Sequence, residues 1–168
     1  MKTCFNIKDF CFIEVSFLNN KINAVCIFKT KPKEFLSNNS ILSIKIKKLF
    51  FSYFNGNKTD FSEVPFILSG TKFQIDVWRM LTYIPYGTVV TYNDIAKALA
   101  KKYGIKKMSA QAVGQAVAHN PLPIIIPCHR VVGSSNNLGG YSKGIELKKR
   151  LLELEGIDVT KYRIKKNG

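Results

Sequence analysis

The sequence predicts an α+β fold in two parts, on three observations. Aromatic and β-branched residues dominate two short runs near the start, FCFIEVSFL at 10–18 and INAVCIF at 22–28. A lysine-rich segment at 41–54 carries one apolar helical stripe. From Ser69 onward, capped helical segments follow one another. We therefore expect a small antiparallel sheet with one helix over 1–68, a mainly helical part with a helix-turn-helix over 69–158, and a basic tail over 159–168.

The two apolar runs are separated by Asn19, Asn20 and Lys21, which reads as a hairpin. In ILSIKIKKLFFSYF, Leu42, Ile46, Leu49, Phe50 and Tyr53 share a face, and Asn55-Gly56 stops the helix. VPFIL at 64–68 reads as another short strand. In the second part, Thr71 and Gln74 form the sequence of a capping box. Phe73, Val77, Leu81 and Ile84 follow at helical spacing with Trp78 beside them, and Pro85 and Gly87 end that helix. Thr91 caps a segment with Ile95, Ala96 and Leu99 inward; Ser109 caps another that Asn120-Pro121 closes. That pair is the helix-turn-helix candidate. In GIELKKRLLELEG, the residues Ile145, Leu147, Leu151, Leu152 and Leu154 are available for burial, and Gly156 terminates the helix.

Bulk properties exclude some classes. With 46% hydrophobic residues and 12 Phe among 168 residues, the chain can build a core, so disorder is not expected. No run of about 18 apolar residues exists to cross a membrane. The N-terminus lacks the continuous apolar stretch of a signal peptide. A reducing, cytoplasmic setting is expected, and Cys4, Cys11, Cys26 and Cys128 read as thiols. There is no CxxC pair and only His119 and His129, so no metal is expected. The net charge is +15, of which residues 69–168 supply +10 (16 Lys and Arg against 6 Asp and Glu). Such a surface suits a polyanion. A lysine-biased composition, with 22 Lys to 4 Arg, gives the same number without any partner.

The second helix of the pair, AQAVGQAVA at 110–118, is made of small residues. A major-groove reader carries long polar side chains. Small residues instead allow close approach, to a neighbouring helix or to a narrow minor groove. Further on, IIIPCHR places Cys128 and His129 side by side at the end of an apolar run. A free thiol is mostly protonated at neutral pH, so a cysteine nucleophile needs a cationic or basic neighbour. Adjacency alone does not bring an imidazole onto a sulfur, because neighbours on a strand point apart. Pro127 interrupts the strand here, and at a turn the two side chains converge directly or through a water. A buried structural thiol beside a satisfied histidine stays open on chemistry alone.

NPLPIIIPCHRVVGSSNNLGGYS at 120–142 resembles the active-site segment of the methylated-DNA–protein-cysteine methyltransferases, the 6-O-alkylguanine-DNA alkyltransferases. Their Pro-Cys-His-Arg-Val hallmark stands here as Pro127 to Val131. The resemblance extends over FQIDVWRMLTYIPYGTVVTYNDIA, AVGQAVAHNP and KKRLLELEG, about residues 70–156; the first 68 residues match only in length and general character. It implies a ribonuclease H-like N-terminal domain, a structural brace, and a winged-helix-like C-terminal domain. It implies transfer of the alkyl group from a flipped guanine in duplex DNA to Cys128, irreversibly, by a monomer without cofactor or membrane. His129 would relay a proton through a water, Glu155 would orient His129, and Asn120 would hold the turn. Tyr92 would contact the guanine and help stabilise the departing purine, with Tyr141, Ser142 and the Val131 backbone also at the base. DNA contact would fall to Ser109, Ala110, Gln111, Gly114, Gln115 and Arg130. Better-known members place an arginine, which fills the gap left by the extruded nucleotide, where this chain has Gln111. The competing readings are a non-catalytic helix-turn-helix damage sensor and a Cys-His hydrolase, for which no third group or oxyanion signature is visible.

Overall fold

The computed structural model describes residues 1–164, so the last four residues of the expected 159–168 tail lie outside it. The chain divides into two compact units, Met1–Ser69 and Gly70–Gly168. The fold is α+β, with a small antiparallel sheet and five α-helices among the described residues.

In the first unit, β1 (Lys2–Ile7), β2 (Cys11–Leu18) and β3 (Lys21–Phe28) form an antiparallel sheet in that order. The β2–β3 turn puts Asn19 and Asn20 at φ 48° and 55°, as a two-residue hairpin loop requires. The sequence signals missed β1, because Lys2 and Asn6 break its apolar pattern. VPFIL is not a strand. It makes one parallel bridge, Ile22 to Phe66, because Pro65 offers no N–H and accepts from Ile22 N instead. Helix α1 (Ile41–Phe54), capped by Ser40, buries Leu42, Ile46, Phe50 and Tyr53 but leaves Leu49 half-buried. The Phe50 ring packs on Phe5 and on Phe61, at 5.6 Å and 5.4 Å between centroids.

In the second unit, α2 (Lys72–Leu81) opens on the expected capping box, with Thr71 and Gln74 each bonding the other's backbone. Its indole Trp78 is buried and donates from Nε1 to Ala116 O at 2.8 Å, fixing α2 to α4 (Ala110–Ala118). Between them, β4 (Val90–Thr91) leads into α3 (Tyr92–Tyr103), which has a second capping box from Thr91 and Asp94. Ser109 caps α4 by accepting from Ala112 N. β4 pairs in parallel with β5 (Val131–Val132), a ladder too short to read from sequence. Helix α5 (Ile145–Leu154) buries Leu151 and Leu152; Leu152 packs with Val132 and Leu138. Each such aliphatic side chain contributes about 1.5–3 kcal/mol. Beyond α5, Val159–Lys161 forms a 3-10 turn, and Arg163 bonds Asn136 and Leu138 through its backbone. These residues belong to the segment expected as a basic tail, 159–168.

No helix among the described residues is long and apolar enough to cross a membrane.

Candidate active site

The isoleucine run does not continue as a strand. Ile124 takes φ 75°, rare for a β-branched residue, and is 2% exposed. Asn120 holds this bend. Its Nδ2 donates to Ile126 O at 2.8 Å, and its Oδ1 accepts from Leu122 N at 3.0 Å. Residues Cys128–Arg130 then form one 3-10 turn before β5. The turn, not a strand, sets the relation between Cys128 and His129.

Cys128 is 4% exposed, with Sγ 3.9 Å from the Tyr141 hydroxyl. Burial pushes its thiol above the ordinary value; hydrogen bonds from Asn120 and Tyr141 and the nearby Lys148 ammonium pull it down. His129 is fully buried, and Nε2 lies 2.7 Å from Glu155 Oε1. Burial holds its imidazole below the ordinary range, against the opposing pull of Glu155.

Glu155, just past the end of α5, gathers more than the histidine. Its Oε2 accepts from Arg130 Nε at 2.8 Å and Gly87 N at 3.1 Å, and Oε1 accepts from Arg130 Nη2 at 3.0 Å. Arg130 also donates to Ile84 O at 2.6 Å and lies over the Tyr86 ring. Arg130, expected at the DNA, thus makes these contacts within the protein. Arg130 is 8% exposed, and its guanidinium bonds the carboxylate that holds His129.

Sequence reasoning missed Lys148. It is fully buried on α5, and its Nζ donates to Val131 O and Leu138 O, each at 2.6 Å, and to Gly140 O at 3.4 Å. Burial lowers its pKa to about 8. One signal was present: Lys148 stands one turn from Ile145 and from Leu151 and Leu152, on the helix's apolar face. Lys148 thus bonds the Val131 backbone, the segment expected at the guanine edge.

Tyr92 begins α3, with its hydroxyl 3.4 Å from Gly140 O. Burial, and secondarily the charge of Cys128, pushes its pKa up to about 12, so the phenol is a donor at neutral pH. Its ring faces two glycines. A Cβ on Gly139 would meet Tyr92 Cε2 at 3.1 Å, and one on Gly114 would touch the ring at 3.8 Å. Tyr92 also walls an open groove of about 400 Å³, whose other sides are Ala110, Gln111, Gly114 and Gln115 of α4, with Asn93 and Ser134. Four α4 residues singled out in the sequence thus share one surface, and Ser109 caps it. Asn93 and Ser134, bonded to each other at 2.9 Å, were not foreseen. Cys128 is not in the groove wall, and Ser142 is exposed. No three His, Cys, Asp or Glu among the described residues are grouped to hold a metal ion.

Comparisons agree on one family. A family model described as the DNA-binding domain of 6-O-methylguanine DNA methyltransferase matches residues 72–157. The methylated-DNA–protein-cysteine methyltransferase of Metallosphaera sedula is 42% identical over 138 residues, covering 82% of this chain and 82% of that protein. Its counterpart in Sulfurisphaera tokodaii is 46% identical over 110 residues, 66% of this chain and 65% of that protein. The Mycobacterium tuberculosis OGT, solved in complex with DNA, superposes with a TM-score of 0.74 at 32% identity, covering 96% of this chain and 94% of that one.

Proposed function

The chain belongs to the methylated-DNA–protein-cysteine methyltransferases, and from that membership we propose that it repairs 6-O-alkylguanine in duplex DNA by moving the alkyl group onto Cys128. The observation that carries this reading is the buried turn that holds Cys128 beside His129, with His129 bonded to the buried Glu155 at the end of α5.

The thiol starts protonated, since burial raises its pKa. His129, held neutral by burial and oriented through Nε2, accepts the proton at Nδ1 through a water. Glu155 stabilises the imidazolium that forms, and Arg130 and the Gly87 amide keep that carboxylate fixed. Sγ then attacks the saturated carbon. The C–S bond forms, the C–O bond breaks, and guanine takes the electron pair. The Tyr92 phenol, still protonated at neutral pH, donates to the departing purine. Nothing in the sequence of steps calls for a cofactor. Because the thioether is stable, each molecule acts once, as a monomer, in the reducing cytoplasm that keeps Cys128 a thiol.

The target carbon lies inside the duplex, so the nucleotide must be turned out. We assign this to α3 and α4 acting as a helix-turn-helix in a winged-helix-like unit, with the ribonuclease H-like unit as a brace. The small face of α4 suits a minor groove, and Gln111 hydrogen-bonds the orphaned base. The Tyr141 hydroxyl lies 3.9 Å from Sγ, and in this reading lesion entry moves it aside. Gly139, Gly140 and Gly144 flank it, while Lys148 pins the carbonyls of Leu138 and Gly140.

The test is stoichiometric. A duplex oligonucleotide carrying 6-O-methylguanine should be restored at one guanine per protein, and a second portion of lesion should stay methylated. Repeated turnover, or no restoration, would count against this function.

A further inference from the structure

From the second half of α3 into the loop before α4, residues 97–107 hold Lys97, Lys101, Lys102, Lys106 and Lys107 and no acidic residue. One of these lysines is structural. Lys102 Nζ pairs with Asp76 Oδ1 at 2.5 Å, beside Tyr103, whose hydroxyl donates to Asp76 Oδ2 at 2.7 Å. Asp76 is 6% exposed, so this pair anchors the end of α3 to α2. Gly104 then closes α3 at φ 64°, and Ile105 N bonds back to Ala100 O at 3.0 Å. The connection is therefore an anchored loop.

Past those anchors, Lys106 and Lys107 are exposed and make no ion pair with any described residue. Neighbouring ammonium groups repel, and a polyanion relieves that repulsion. Their position matters as much as their charge. They lie immediately before Ser109, the cap of α4, whose Ala110, Gln111, Gly114 and Gln115 line the groove. A minor groove is about 6 Å wide. A helix about 10–12 Å across with its side chains is wider than that groove, so the loop just before α4 would face a flanking sugar-phosphate strand.

We propose that Lys106 and Lys107 form a phosphate clamp, which docks duplex DNA beside α4 whether or not a lesion is present. The proposal rests on the DNA-repair reading above and adds a backbone-contact site to it. Such contacts carry no base information; they set register and affinity, and they release counterions.

The experiment titrates undamaged duplex DNA with the full chain over a salt series and plots log affinity against log salt. Each lost phosphate contact lowers the slope by about 0.9. Lys106→Ala/Lys107→Ala should bind more weakly at low salt, with a slope reduced by about 1.8. Lys106→Arg/Lys107→Arg should keep the wild-type slope. A thermal melt matching the wild type shows that the alanine variant is folded. A control, Lys29→Ala/Lys33→Ala, removes two exposed lysines of the first unit. An unchanged slope in the first variant, or an equal loss in the control, overturns the clamp. Failure of the wild type to demethylate DNA would sink the repair reading instead, and the salt slope would still judge the clamp.

Discussion

Glu155 Oε1 stands 2.7 Å from His129 Nε2, and neither side chain exposes any surface. The same carboxylate holds the Arg130 guanidinium through both oxygens. Glu155→Gln keeps the shape but leaves a buried guanidinium without its counter-charge. We expect a loss of about 3–5 kcal/mol, the cost of breaking a buried pair. Urea denaturation measures it; a midpoint equal to the wild type would show that the pair is not coupled to folding. The surviving folded fraction should also transfer methyl more slowly, since the imidazolium loses its partner.

The pH profile of transfer should reflect a depressed imidazole. Burial lowers the His129 pKa, so the neutral base persists below the ordinary midpoint near about 6.5. Single-turnover rates should hold as pH falls through that value and decline only at lower pH. A decline centred at or above it contradicts the assignment. Stability follows the same sign. The unfolded chain takes the proton first, so His129's contribution is complete above about 6.5 and is lost as pH falls from there towards the folded pKa.

Lys148 gives a separate test. Its ammonium bridges the carbonyls of Val131 and Leu138, on either side of the turn at residues 133–137. Lys148→Met strands those acceptors, which costs about 1–3 kcal/mol each, partly offset by no longer burying a charge. It should also raise the Cys128 pKa, since the ammonium pulls it down. The pH dependence of thiol reaction with a small disulfide reads this directly, and an unchanged midpoint would remove Lys148 from the thiol's environment. In the wild type, with the folded pKa at about 8, the penalty for burying the charge is present at pH 7 and fades as pH rises from about 8 towards the unfolded value near about 10.4.

Gly139 has φ 73°, and an added Cβ would lie 3.1 Å from the Tyr92 ring and 3.3 Å from its hydroxyl. Gly139→Ala combines backbone strain of about 1–2 kcal/mol with displacement of Tyr92. Gly104→Ala, at φ 64° with open space around it, isolates the strain. We expect both to lose stability, Gly139→Ala the more, and slower methyl transfer only for Gly139→Ala. Equal transfer rates would show that Tyr92's position is not critical.

The sequence made local signals plain where they rest on neighbours in the chain. Both Thr caps, the Ser109 cap and the Asn19-Asn20 hairpin follow from residues within a few positions of one another. The site was legible only in part. Cys128 and His129 stand out as a pair, but their partner Glu155 is a turn of helix beyond α5's core and reads by itself as a solvated carboxylate. Only the family resemblance gave it a role. Only the family resemblance put Arg130 among the DNA contacts; its burial beside Glu155 depends on tertiary packing that no local pattern carries. Lys148 was hidden for the same reason, in a run of basic residues where only the helical phase marks it. β1 and the two-residue strands escaped because their pairing partners, not their composition, define them.

The central claim is tested most directly by weighing the Cys128 peptide after the protein meets duplex DNA carrying 6-O-methylguanine. The peptide should gain the mass of one CH2, the methyl replacing the thiol hydrogen, and Cys128→Ser should gain nothing. An unmodified Cys128 beside demethylated DNA, or a methyl found on Cys4, Cys11 or Cys26, would contradict it.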